Sequence, residues 1–271
     1  VDTLEHDTAQ AHYNHLVKVD SDTYALAYKG SDDLYITTFT IQSDGSSITK
    51  VESIAADVHQ KHLMSNVGDF IKVDSDTFAT VHTSGNPQTK SIITFDIASD
   101  GSSITKIDTG AANFGTSYRD CWFNTIIHVD SDIFAVACDA GTVSTISISS
   151  AGQITPDAST YIHDLKTHNT ITQSSLASQV KLDSDTIAVA DSEGISTFDI
   201  ASDGTITPVR TANYASIGGN NYFEFSGTIM HPSIVQVDSD TYAIAYYTKT
   251  SPNRGIIDVY TISTDGETIT L

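Results

Sequence analysis

The chain has 271 residues with 13 basic and 34 acidic side chains, a net charge of −21, and is 39% hydrophobic. That imbalance excludes the Lys/Arg-rich surface that phosphate recognition needs, so neither nucleic acid nor an anionic membrane surface is expected as a partner. The apolar residues lie in short segments, none near the roughly 18 needed for a membrane helix, and two cysteines are too few for a disulfide scaffold.

Taken in order, the chain repeats itself. Val19-Asp20-Ser21-Asp22-Thr23-Tyr24-Ala25-Leu26-Ala27-Tyr28 recurs as Val73 to His82, Val129 to Cys138, Leu182 to Asp191 and Val237 to Tyr246. The turns fall at 20–22, 74–76, 130–132, 183–185 and 238–240, and the first Asp of each copy is spaced by 54, 56, 53 and 55 residues. A fixed period in this range marks a repeat architecture. Inside each repeat an alternating run such as His15-Leu16-Val17-Lys18-Val19 leads into the Asp-Ser-Asp turn, and a second strand follows from Thr23 to Tyr28. A third run, Tyr35 to Ile41, precedes a Ser-Asp-Gly turn and a fourth run, Ser47 to Val51. Asp, Ser and Gly are turn formers, Asp-Gly between alternating runs signals a hairpin, and Thr, Val, Ile, Tyr and Phe suit strands.

Four short antiparallel strands, repeated five times, predict a single-domain, all-β, five-bladed β-propeller over residues 1–271. The last repeat stops at Leu271 and the chain opens Val1-Asp2-Thr3-Leu4, which matches Val51-Glu52-Ser53-Ile54. The two terminal segments are therefore expected to share one blade and close the ring. No signal peptide is visible, and the sequence reads as a mature or excised segment.

The motif Val-Asp-Ser-Asp-Thr-(Tyr/Phe)-Ala-x-Ala, followed by Thr-Phe-(Thr/Asp)-Ile-x-Ser-Asp-Gly-x-Ile-Thr, resembles repeats of extracellular propeller proteins of marine microbes and archaea. The resemblance spans essentially the whole chain. It implies the propeller fold and a secreted or cell-surface location, and it brings no catalytic residues with it.

Internal comparison separates scaffold from site. What all five copies share reads as scaffold. The ladder carboxylates are turn formers, with calcium ligation the rival reading, and the alternating large and small residues after the turn are packing between blades. Function is expected where the copies differ, on the end opposite the two shared turns. That end gathers His12, Tyr13, Asn14 and His15; His59, His62, Asn66 and Asp69; Tyr118, Arg119, Asp120, Trp122 and Asn124; His163, His168, Gln173 and Ser178; and Asn220, Asn221, Tyr222, Glu224 and His231. Aromatic rings pack on sugar C–H faces while amides, carboxylates and imidazoles take hydroxyls. His15, Asp69, Arg119, Trp122, Asn124 and His231 are thus the expected ligand-binding set of a lectin-like binding module for a polar small molecule, glycan or protein. The alternative is a glycosidase-like hydrolase using Asp69, Asp120 and Glu224, and a third possibility is a structural repeat of a larger surface protein. No cofactor, no metal and a monomer are expected. Cys121 and Cys138 are not direct cross-strand partners. A loop could join them in a disulfide, or both are buried thiols.

Overall fold

A computed structural model describes residues 1–8, 11–31, 33–58, 66–84, 89–111, 124–138, 142–161, 177–191, 194–210, 223–224, 229–248 and 254–271. Among these residues every regular element is a strand. Blade 1 holds β1 (His12–Lys18), β2 (Thr23–Lys29), β3 (Asp33–Ile41) and β4 (Ile48–Val58). Blade 2 holds β5 (Asn66–Lys72), β6 (Thr77–Ser84), β7 (Thr89–Ile97) and β8 (Ile104–Ala111). Blade 3 holds β9 (Asn124–Asp130), β10 (Ile133–Cys138), β11 (Thr142–Ile148) and β12 (Ile154–Tyr161). Blade 4 holds β13 (Ser178–Lys181), β14 (Thr186–Ala190), β15 (Gly194–Ile200) and β16 (Ile206–Arg210), with the two-residue β17 (Phe223–Glu224) also on β15. Blade 5 holds β18 (Ile229–Gln236), β19 (Thr241–Thr248), β20 (Arg254–Ile262) and β21 (Ile269–Thr270). Each sheet is a simple up-and-down order of its own strands. Five such sheets are the blades of a five-bladed β-propeller.

The chain forms two compact units. One comprises residues 1–112 with 148–155, which are blades 1 and 2 and the turn between β11 and β12. The other comprises 113–147 with 156–271.

The shared residues do what their chemistry favours. In the ladder turns the first Asp folds its carboxylate back onto the turn: Asp74 Oδ1 accepts from the amides of Asp76 and Thr77, and Asp183 Oδ1 from those of Asp185 and Thr186. For both residues burial raises the carboxyl pKa, but these backbone amides outweigh it and leave the group below its usual range. The Asp-Gly hairpins are longer than a two-residue turn. Ile41 pairs with Ile48, so six residues connect β3 to β4, and the Gly45 amide bonds Gln42 O at φ +70°, a value glycine adopts at little cost.

Each blade has two packing faces. The small-residue face of blade 1, with Ala25, Ala27 and Ile36, packs against Phe78, Ile93 and Phe95 of blade 2. Ala135, Ala137 and Val143 of blade 3 pack against Ile187, Val189 and Phe198 of blade 4. Ala188, Ala190 and Ile195 of blade 4 pack against Tyr242, Ile244 and Tyr260 of blade 5. Polar bonds pin these seams. The buried hydroxyl of Thr38 donates to Gly101 O of the next blade at 2.7 Å and accepts from the Glu52 amide of its own. Thr94 bonds Gly152 O, Thr145 bonds Gly204 O and Thr197 bonds Gly266 O in the same manner. In the opposite direction, Lys72 Nζ donates to Val19 O at 2.6 Å, and Lys181 Nζ donates to Val129 O.

Candidate functional site

The first strands of blades 1, 2 and 5 break their register at the end away from the ladder turns. On β1 two residues between His12 and His15 oppose one on β2; on β5 the irregularity lies between Val67 and Phe70, and on β18 between Met230 and Ser233. A bulge of this kind kinks the strand and re-aims side chains. Tyr13 and His231 occupy the same place, seven residues before their ladder Asp, and both take positive φ, +55° and +50°. Such values are uncommon outside glycine and are costly for aromatic residues.

On unit 1 the bulges bring together two of the expected site residues. His15 and Asp69 each stand five residues before the ladder Asp of their repeat, and His15 Nδ1 lies 3.5 Å from Asp69 Oδ1 with both side chains about one-third exposed. The pair becomes a salt bridge when the imidazole is protonated. The exposed Tyr13 ring lies 6.2 Å from the His12 ring on the same strand end. An imidazole, a carboxylate and an exposed phenol ring on two neighbouring strand ends can donate to, accept from and stack against a polar, ring-bearing molecule.

On unit 2 His231 stacks on Tyr247, with centroids 5.7 Å apart and planes 21° apart. Burial pushes its pKa below the ordinary histidine value, so the imidazole is neutral near pH 7. Tyr247 had no place in the sequence reading; its only signal was that blade 5 carries two consecutive tyrosines after the Ala-Ile-Ala run. Asn124 pairs by its backbone with Cys138, and Glu224 with Gly194 on the side of β15 away from β14. Arg119, Asp120 and Trp122 lie outside the described residues, as do His59, His62, His163 and His168. Cys138 is disulfide-bonded, and Cys121, the chain's only other cysteine, lies outside the described residues.

A second variable position was hidden inside the ladder. Its tenth residue is Tyr28, His82, Cys138, Asp191 or Tyr246, chemically different in nearly every blade, and the first four are buried. The ladder's regularity made this position read as packing. Among the described residues no group of three or more His, Cys, Asp or Glu side chains is placed to hold a metal ion.

No family model matches the chain, and no curated protein does. Solved structures do. A protein from Lactobacillus plantarum is similar over 100% of this chain and 86% of its own, at 12% identity and a TM-score of 0.58. Saccharomyces cerevisiae Sqt1 is similar over 99% of this chain at 11% identity and a TM-score of 0.60, and the chain spans 63% of that protein's length. At such identities the likeness is one of fold.

Proposed function

We propose that this chain is a binding module, secreted or displayed at the cell surface, that takes a polar ligand on the bulged strand ends of blades 1 and 2. The ligand class we favour is carbohydrate. The observation that carries the reading is the His15–Asp69 pair: equivalent positions of neighbouring repeats, about one-third exposed and 3.5 Å apart, beside an exposed tyrosine held at positive φ. Scaffold alone gives no reason for two repeats to place an imidazole and a carboxylate there, where the other three have Thr125, Ser178 and Ser233. In this reading Asp69 accepts sugar hydroxyls, His15 donates to or accepts from a neighbouring hydroxyl, and the Tyr13 ring packs on C–H faces.

A glycan array with and without calcium tests it, followed by reducing-sugar detection on every hit. Binding without sugar release, weakened about tenfold or more (~1.4 kcal/mol) by Asp69→Asn or His15→Ala, is the expected result. Sugar release would replace the binding reading with a hydrolytic one. Binding that both variants leave unchanged would move the site off blades 1 and 2.

A further inference from the structure

One scaffold position changes its chemistry in a single blade. The sixth residue after the ladder Asp is Leu26, Val136, Val189 and Ile244 in four repeats, and Thr80 in blade 2. Thr80 is 0% exposed. It stands opposite Phe70 and two residues beyond Phe78, on the face of blade 2 that packs against blade 1. A hydroxyl in an apolar layer is unfavourable unless it finds a partner. Here the partner is Asp69: the Thr80 hydroxyl donates to its backbone carbonyl at 3.1 Å.

The register shows what that bond accompanies. In blade 1 the bulge residues Tyr13 and Asn14 oppose Tyr28, and His15 keeps a regular partner, Ala27. In blade 5 His231 and Pro232 oppose Tyr246, and Ser233 keeps Ala245. In blade 2 Gly68 and Asp69 oppose Val81, and regular pairing resumes only at Phe70 with Thr80. The bulge thus lies one residue nearer the ladder turn than in blades 1 and 5, and it takes in Asp69 itself. A bulge re-aims the side chains it contains. We infer that Thr80 is a positioning residue of the candidate site: its hydroxyl holds the Asp69 carbonyl, fixes the bulge on Asp69 and so directs that carboxylate to within 3.5 Å of His15 Nδ1. Its consequence for binding rests on the ligand reading above; its effect on the His15–Asp69 pair does not.

Thr80→Val installs the residue that blades 3 and 4 carry at this place and removes only the hydroxyl, whereas Thr80→Ser keeps it. The first readout needs no ligand. Asp69→Asn should move the ring-nitrogen NMR signals of His15 in the otherwise unchanged chain. In the Thr80→Val background the same change should leave those signals in place, because the carboxylate no longer faces the imidazole. A purely structural threonine would alter the thermal midpoint without touching that response. Thr80→Ala, also without the hydroxyl, supplies the same comparison should the valine chain fail to fold. The second readout is affinity for the free oligosaccharide of the strongest glycan-array spot. Thr80→Val should weaken it about tenfold, as Asp69→Asn does, and the two changes together should weaken it no further. Thr80→Ser should restore both readouts. A His15 response to Asp69→Asn that survives Thr80→Val would overturn the assignment, as would its loss in Thr80→Ser. If no glycan binds while the response still depends on the Thr80 hydroxyl, the ligand reading fails and the positioning role stands.

Discussion

The Asp2 carboxylate accepts the Ile48 amide at 3.0 Å. The Asp2 amide meanwhile donates to Gly45 O. Asp108 makes the first of these bonds to Ile154, also at 3.0 Å and with the same 46-residue separation. The opening residues of the chain therefore behave towards blade 1 as the outer strand of blade 2 behaves towards blade 3. The Ile48 amide, then that of Thr3, holds the Asp2 carboxyl below its ordinary 3.8. A depressed carboxyl stabilises the fold above its unfolded pKa, and the contribution is lost as pH falls through the folded value. Asp2→Asn should lower the thermal midpoint at pH 7, and the gap from wild type should close on acidification below pH 3.8. An equal gap at both pH values would count against the bond.

Removing one seam hydroxyl should be costly. Thr38→Val keeps the shape but leaves the Gly101 carbonyl and the Glu52 amide without their partner. Orphaning buried backbone groups costs about 1–3 kcal/mol, to be read as a lower denaturant midpoint at unchanged m-value.

Blade 5 should show a late tyrosine titration. Burial first, and then the hydrogen bond Tyr246 donates to Asp258 at 2.6 Å, push the Tyr246 phenol from 10.0 up to about 12. Tyr260, also bonded to Asp258, is raised by burial and by that carboxylate's charge. A raised acid stabilises the fold below its unfolded pKa, and the effect disappears as pH rises through the folded one. Tyr246→Phe should remove one tyrosinate from the alkaline absorbance titration and flatten the loss of stability between pH 10 and 12.

His231 should act in the other direction. Its imidazole is held neutral by burial, so the unfolded state takes up a proton more readily and stability falls as pH drops below the ordinary 6.5. His231→Phe retains a ring for Tyr247 and should abolish that acid-side loss. The check is the thermal midpoint from pH 7.5 to 5 in both proteins.

The sequence carried the blades because its ladder states purely local needs. An Asp that bonds the amides two and three residues on, and a glycine at positive φ, mean the same wherever they occur. The site was legible only as a list. His15 and Asp69 stood out as residues in which the repeats differ, but their meeting depends on how β1 and β5 sit across a seam, and no spacing encodes that. The tenth ladder residue was missed for the converse reason: regular neighbours disguised Tyr28, His82 and Asp191 as filler. Thr80 was visible by comparing copies, yet its difference from four apolar counterparts means nothing until its hydroxyl is known to meet the Asp69 carbonyl.

The paired seam bonds have a mechanical consequence. Thr38 reaches forward from the third strand of blade 1, and Lys72 reaches back from the first strand of blade 2. Two bolts at separate points of one seam oppose rotation of blade 2 against blade 1 about either one. The span between His15 and Asp69 is thus gauged by the seam beneath them, and loosening either bolt, as Lys72→Met would, turns a calibrated gap into a hinge.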